Sequence, residues 1–405
     1  GFASTARLLK KKVAFPGALG SEFTHKLQFT GATTPIPTYQ LVDVEGKILD
    51  KDNEPKVSKE EAQRIYKLIL TLSVMDQVLY EAQRQGRISF YMTSFGEEAI
   101  IGSAAALDPQ DTVFGQYREA GVLLYRGFGL ENFMNQCFSN ALDLGKGRQM
   151  PVHYGSKEHR FHTISSPLAT QLPQAAGAAY AIRRSRSNKC VICYFGEGAA
   201  SEGDFHASLN MAATLDCPII FYCRNNGYAI STPSVEQYKG DGIASRGIGY
   251  GIDTIRVDGN DLWGVYAATR RARELAVTHS KPVLIEAMTY RVGHHSTSDD
   301  SLAYRPKKEI EDWSRHDNPI MRMRRWLTRK GWWNDDDDTA AKREAREAVL
   351  SAFSKAEAVK KPAISNLFSD VYDTLPANLQ DQKQEVMDLV AKYPDYYRIH
   401  DFAKE

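Results

Sequence analysis

The sequence predicts an α/β fold built on a doubly wound parallel sheet, and three observations carry that expectation. Val191-Ile192-Cys193-Tyr194-Phe195 and Ile219-Ile220-Phe221-Tyr222-Cys223 are short apolar runs that give way to Gly196 and to Asn225. That is the pattern of strands buried on both faces. Ala200 to Leu215, between them, is long enough for a crossover helix. Further on, strands expected at Ile252–Val257 and Val283–Tyr290 flank a helix expected from Asn260 to about Thr278. Strands alternating with helices favour a parallel sheet.

The remaining elements follow along the chain. Residues 1–55 show little periodicity, and Thr34-Pro35-Ile36-Pro37-Thr38 and Lys51-Asp52-Asn53-Glu54-Pro55 read as extended arm and turn. A long ordered arm needs a surface to pack on, which points to a partner chain. Ser58-Lys59-Glu60-Glu61 is a capping-box pattern opening a helix to about Gln85, with Gly86 placed to end it. Ile65, Leu68, Ile69, Leu72, Met75 and Leu79 give that helix one apolar stripe. Val113–Arg118 holds a further strand, and Pro173–Arg184 is an Ala-rich helix. Residues 291–306 read as a polar loop. From Glu309 the chain reads as helical, with Trp326, Trp332 and Trp333 as packing anchors and Asp335–Asp338 as a solvated loop. The division expected is an arm (1–55), an α/β domain (56–305) and a helical region (306–405).

Bulk properties exclude several classes. Hydrophobic content of 42% and charged content of 25% are those of an ordinary globular protein. A net charge of +1 gives no support for a nucleic-acid or membrane-surface partner. No apolar stretch approaches the length of a bilayer span. Five cysteines make no disulfide framework in a chain of this length, which suits a reducing compartment. Cys190 and Cys193 match a C-x-x-C spacing, but residues three apart on a strand face opposite ways, so both read as core residues. The first 21 residues lack Asp and Glu and carry Arg7, Lys10, Lys11 and Lys12, the composition of a mitochondrial transit peptide or of a flexible basic terminus.

The chemistry concentrates where strands end. Gly196-Glu197-Gly198 is followed, after 26 residues, by Asn225-Asn226. A carboxylate and a carboxamide then sit at the carboxyl ends of two strands, the edge at which open α/β sheets bind ligands. Hard oxygen donors there suit Mg²⁺ holding a phosphorylated cofactor. A Gly-rich turn plus an Asn-Gly turn is the plainer alternative. Arg118, in Gln116-Tyr117-Arg118-Glu119, and Arg224 put two cations at the same edge, where an Arg neutralises a phosphate; either alone also reads as a surface ion-pair residue. Ser165-Ser166-Pro167-Leu168-Ala169-Thr170-Gln171 clusters uncharged oxygens that either coordinate a monovalent cation or cap the Ala-rich helix; residue types alone favour the cap. His294-His295 lies on the polar loop, where a His is a general acid or base, a phosphate ligand, or simply solvated.

The Gly-Glu-Gly…Asn-Asn pair is similar to the thiamine diphosphate signature, usually Gly-Asp-Gly…Asn-Asn; Glu197 keeps the ligand group with one more methylene. With Gly115–Gly121, Ser165–Gln171 and Tyr290-Arg291-Val292-Gly293-His294-His295-Ser296 in this order, the chain resembles the alpha-subunit family of the branched-chain 2-oxoacid dehydrogenases. The resemblance covers nearly the whole chain. The related pyruvate-specific alpha subunits usually carry Gly-Asp-Gly and His-Gly-His before the Ser.

The resemblance implies a thiamine diphosphate-binding fold and oxidative decarboxylation of branched 2-oxoacids, with acyl transfer to a lipoyl group. Tyr117, Arg118, Ser166, Leu168, Gly198, Ala199, Arg224 and His295 would contact the cofactor, His295 also acting in catalysis. Glu197, Asn226 and the Tyr228 carbonyl would bind Mg²⁺. Ser165, Pro167, Thr170 and Gln171 would surround K⁺. Ser296 would be the regulatory phosphorylation site, while the family's second site falls at Pro306, which has no hydroxyl. The implied partners are a beta subunit in an α₂β₂ heterotetramer (which supplies the Glu that activates the cofactor), a lipoylated transacylase core, and a regulatory kinase and phosphatase. The implied location is the mitochondrial matrix. Two alternatives stay open: the pyruvate-specific relative, and a non-catalytic α/β subunit or nucleotide-binding protein. No Gly-x-Gly-x-x-Gly or Walker sequence follows a strand to favour nucleotide binding.

Overall fold

The structure, a computed structural model, describes residues 25–31 and 34–404. The basic segment 1–21 lies outside the described residues. The chain forms two units, Gly1–Pro35 and Ile36–Glu405. The described residues of the first carry no helix or strand.

In the second unit the strands in chain order are β1 (Thr38–Tyr39), β2 (Thr112–Phe114), β3 (Phe161–His162), β4 (Val191–Gly196), β5 (Ile219–Asn225), β6 (Tyr228–Ala229), β7 (Thr232–Pro233), β8 (Asp253–Asp258) and β9 (Val283–Met288). Seven of them make one sheet in the order β1-β8-β9-β5-β4-β2-β3, every pairing parallel. β6 and β7 form a small antiparallel pair. Among the described residues no helix is long and apolar enough to cross a membrane.

Alternation along the central strands builds two layers. Val191, Cys193 and Phe195 of β4 face a cluster with Leu172, Ala175, Phe205 and Leu209. Ile192 and Tyr194 face the other way, into a cluster with Ile65, Leu72, Trp263 and Trp326. Successive residues of a strand point to opposite faces, so one apolar run feeds both layers. Cys190 and Cys193 fall into opposite clusters as expected. The crossover between β4 and β5 is the helix Gly203–Thr214. Pairing runs from Val191↔Ile219 to Gly196↔Arg224, which aligns the carboxyl ends of β4 and β5.

The first long helix, Lys59–Arg84, starts on Ser58, whose hydroxyl accepts from the Glu61 N–H at 3.1 Å. The reciprocal half of the capping box is absent, because Glu61 pairs with Arg64 and Tyr125 instead. Gly86, at φ +74° in the left-handed region, ends the helix. Its N–H bonds to the Gln83 carbonyl and that of Arg87 to the Ala82 carbonyl, the paired bonds of a Schellman motif.

One element departs from the sequence reading. Asp335–Asp338 is not a solvated loop but the first turn of the helix Asp335–Glu357. Asn334 caps it in a capping box with Asp337, and carboxylates at a helix N-terminus meet a favourable dipole. Asp338 is buried, accepting from Tyr66 Oη at 2.9 Å and Trp333 Nε1 at 3.3 Å and pairing with Lys342 and Arg324. Removing one partner of a buried polar cluster leaves the others unsatisfied. Asp338→Ala is therefore expected to destabilise the protein by about 2–4 kcal/mol, and exposed Asp336→Ala by less than about 0.5 kcal/mol. Chemical denaturation of the two variants checks this, and equal losses would contradict it.

Candidate active site

β4 ends in Gly196-Glu197-Gly198, which turns directly into a short 3₁₀ helix, Ala199–Ser201. Only glycine fits at 198, because a Cβ there would stand 2.6 Å from Ala229 Cβ. That close approach lays the chain after β5 across the turn. Glu197 is buried, and its Oε2 accepts the Asn226 backbone N–H at 3.3 Å. Its Oε1 is buried without a partner among the described residues. Burial pushes its carboxyl up to about 7, a strain that a cation on that oxygen would relieve.

The two asparagines divide their work. Asn225, the last residue of β5, turns away and bonds to Glu286 at 2.9 Å and Tyr238 at 2.9 Å. Asn226 faces the cavity, its Nδ2 donating to Glu97 at 3.0 Å and its Oδ1 accepting from the Tyr228 N–H at 3.2 Å. The Tyr228 carbonyl accepts from Arg291 Nη1 at 3.3 Å, and a carbonyl oxygen keeps a second lone pair.

Neither arginine is a surface residue. Arg224 is buried, with Nη1 on Glu97 at 2.7 Å and Nε on Glu119 at 2.8 Å. Burial works against its charge, but Glu119 and Glu97 outweigh it and hold the guanidinium charged. Its Nη2 is a buried donor with no partner among the described residues. Arg118 is equally buried and donates to the carbonyls of Thr93 and His295, the latter at 2.7 Å. Its Nε stands 3.6 Å from Glu97. For Glu97 too, Arg224 and Arg118 overcome burial and keep the carboxyl below its ordinary value.

The histidines separate as well, and both are half-buried. His294 accepts from the Ser301 N–H at 3.0 Å and stacks on Tyr80. The His295 ring meets that of Tyr117 edge-on, at 5.9 Å between rings, and the His295 backbone N–H donates to Asp299 at 2.8 Å. Burial, then Arg118 and Arg291, lowers its pKa to about 3, so the ring is neutral at physiological pH. Asp299 accepts from Tyr304 Oη at 2.7 Å, which accepts from Arg291 Nη2 at 2.6 Å. The same Nη2 donates to the Ile230 carbonyl at 2.7 Å. Arg291 thus spans the His295 loop and the loop carrying Tyr228.

A cavity of about 570 Å³ collects these groups. Tyr117, Arg118, Ser166, Leu168, Glu197, Gly198, Ala199, Arg224, Asn226, Tyr228, His295 and Ser296 all line it. A second cavity, of about 520 Å³, lies under the helix Ala377–Lys392 and holds none of them. Ser165, Pro167, Thr170 and Gln171 sit beside the first cavity's Ser166. Thr170 Oγ1 donates toward the Pro167 carbonyl at 3.0 Å and lies 3.2 Å from Ser165 Oγ. Thr170 occupies the N-cap position of the helix Gln171–Ser185 without any side-chain cap bond. The capping reading is therefore not met. Gln171 Nε2 donates to the Tyr194 carbonyl at 3.0 Å, leaving a buried Oε1 without a partner.

Sequence reasoning missed Glu97, the role of Glu119 and the pairing of His153 with Ser166 at 2.6 Å. His153 Nδ1 lies 3.1 Å from the Pro151 carbonyl, so Nδ1 carries the proton and Nε2 accepts from the Ser166 hydroxyl. The acidic pair Glu97-Glu98, set among apolar residues, was the available signal for the first of these.

A model of the family "Dehydrogenase E1 component" matches residues 66–365, and the chain belongs to that family. Within it, the chain is 57% identical over 399 residues to the mitochondrial 2-oxoisovalerate dehydrogenase subunit alpha of Macaca fascicularis, covering 98% of this chain and 89% of the relative. The subunit alpha of Caenorhabditis elegans is 55% identical, with 96% and 91% covered. Subunit alpha 1 of Arabidopsis thaliana is 52% identical, with 96% and 82% covered.

Proposed function

We propose that this chain is the alpha subunit of a branched-chain 2-oxoacid dehydrogenase, the 3-methyl-2-oxobutanoate dehydrogenase of the mitochondrial matrix. The observation that carries the chemistry is the convergence, in one cavity at the carboxyl ends of β4 and β5, of Glu197, Asn226, two buried arginines and His295. Thiamine diphosphate is the cofactor of the family. When bound, it supplies the electron sink for decarboxylation. A beta subunit is the partner that an alpha subunit implies.

The finer assignments belong to the same proposal. Glu197, Asn226 and the Tyr228 carbonyl hold Mg²⁺. The unpartnered Glu197 Oε1 supports this, and one carboxylate with neutral oxygens suits a hard cation. Among the described residues no group of three or more His, Cys, Asp and Glu clusters for a metal, so the neutral donors matter. Arg118 and Arg224 offset the charge of a diphosphate, with Arg224 Nη2 unpartnered. Tyr117, Ser166, Leu168, Gly198 and Ala199 shape the walls. His295, neutral and beside the cavity, moves a proton during turnover. Ser165, Pro167, Thr170 and Gln171 hold K⁺, supported by the unpartnered Gln171 Oε1 and the oxygens around Thr170. The assembly is an α₂β₂ heterotetramer that delivers acyl groups to a lipoylated transacylase core. The divisions 1–55, 56–305 and 306–405 are its arm, cofactor domain and helical region.

Assembled with its beta subunit, the chain is expected to turn over 2-oxoisovalerate in marked preference to pyruvate. Equal or reversed preference would favour the pyruvate-specific alternative. Glu197→Gln is expected to weaken Mg²⁺-dependent binding of thiamine diphosphate at least tenfold by calorimetry. Exchange of K⁺ for Na⁺ should lower the melting temperature of the loaded assembly. An unchanged value in either measurement rejects the ion concerned.

Ser296 is the switch in this proposal, controlled by a kinase and a phosphatase. It is buried at the cavity wall beside His295, and its Oγ accepts from the Ser298 N–H at 3.2 Å. Modification therefore requires the loop to open. A phosphate there adds about −1.5 to −2 charges in a cavity built for anions. Pro306 precedes the helix Lys307–His316 and carries no hydroxyl, so control rests on one serine. Kinase treatment of the assembly should abolish turnover in proportion to phosphate on Ser296, and Ser296→Ala should stay active. Full activity with Ser296 completely modified would remove this switch.

A further inference from the structure

Glu97 is buried where three groups of the cavity, Arg118, Arg224 and Asn226, meet. Its Oε2 accepts from Arg224 Nη1 at 2.7 Å, and its Oε1 from Asn226 Nδ2 at 3.0 Å. A carboxylate accepts hydrogen bonds and donates none. Only one orientation of the Asn226 amide is therefore compatible with it: nitrogen toward Glu97, oxygen away. The freed oxygen faces the Tyr228 N–H at 3.2 Å, on the side where Glu197 Oε2 meets the Asn226 backbone and Glu197 Oε1 lies unpartnered. The reverse orientation would put an N–H₂ donor among the oxygen donors, and a cation is repelled by it.

We propose that Glu97 is a positioning residue: it fixes the Asn226 side chain so that a carbonyl oxygen, not an amide nitrogen, is offered to the divalent cation. This rests on the Mg²⁺ reading above. Glu97 does not itself join the ligand set. Its bond to Arg224 serves a second purpose, because it anchors the carboxylate and so keeps Oε1 aimed at Asn226. Gln at 97 weakens the constraint. It has one oxygen for two donors, Arg224 Nη1 and Asn226 Nδ2; with that oxygen on the arginine, its amide nitrogen faces Asn226 and favours the turned amide, opposed only by the Tyr228 N–H.

The test is the Mg²⁺ dependence of thiamine diphosphate binding, read by calorimetry on the heterotetramer stripped of both. Glu97→Gln should raise the Mg²⁺ concentration for half-saturation at least tenfold. Glu97→Asp, which keeps an acceptor-only group, should raise it less and covers the case in which Glu97→Gln does not assemble. Asn226→Ala should raise it too, and adding Glu97→Gln to Asn226→Ala should change nothing more, because a residue acting through another is not additive with it. Additive losses would overturn the proposal, since Glu97 would then act only through charge. Unchanged Mg²⁺ dependence in Glu97→Gln, with Glu197→Gln strongly impaired, would overturn it while leaving the metal reading intact. Unchanged dependence in Glu197→Gln would overturn the metal reading and this inference with it.

Discussion

The site depends on one buried guanidinium. Arg224, next to last in β5, has its charge removed from water, and two carboxylates from elsewhere in the chain, Glu97 and Glu119, answer it. Glu119 also accepts the backbone N–H groups of Gln116 and Arg118 at 2.7 and 3.1 Å. The single cation thus fixes the segment after β2, the segment before the helix at Ile101–Ala105, and the end of β5. Removing one partner from such a cluster strands the others in a low dielectric, at a cost of about 3–5 kcal/mol. The consequence is geometric: the guanidinium is held at the end of the sheet with one donor, Arg224 Nη2, still unpartnered among the described residues.

Most of the architecture was legible because central strands are strongly patterned. Apolar runs at 191–195 and 219–223, each bounded by Gly or Asn, sufficed to place β4, β5 and the cavity edge. Asp335–Asp338 was misread for an instructive reason. Four carboxylates in a row look solvated, yet three sit at the exposed first turn of a helix and the fourth is drawn inward by Tyr66 and Trp333. Tyr66 is distant in sequence, and nothing in the acidic run itself singles out Asp338. The resemblance singled out His295, which lines the cavity, yet nothing in the local residue types distinguishes it from His294; Tyr80 and Tyr117, on different elements, do. Glu97 was hard to read as a hub since its partners, Arg118 and the neighbouring Arg224 and Asn226, lie on two segments distant from it in sequence. Motif residues at strand ends were readable, and the residues that hold them in place were not.

The loop bearing Ser296 is not an appendage to this site. Its Asp299 and Tyr304 bond to each other and, through Arg291, to carbonyls at Tyr228 and Ile230. Glu309 accepts from Tyr228 Oη at 2.9 Å and Tyr290 Oη at 2.7 Å, while Tyr290 stacks on Trp313. Both sides of the cavity mouth are therefore tied to the helix Lys307–His316. A charge introduced at Ser296 acts on a connected frame, where buried polar networks are worth more than single bonds.

The placement of the five cysteines has a practical consequence. Cys137, Cys190, Cys193, Cys217 and Cys223 are all buried and unpaired. Burial pushes the Cys137 thiol up to about 12 and the Cys217 thiol to about 11, and raises the other three well above the usual range. The thiolate is the reactive form, and these thiols hold almost none of it. Electrophiles and mild oxidants therefore find little to attack in the native chain. A single cysteine engineered onto the surface would carry a fluorophore or spin label essentially alone, without first stripping the natural thiols from a tightly packed sheet.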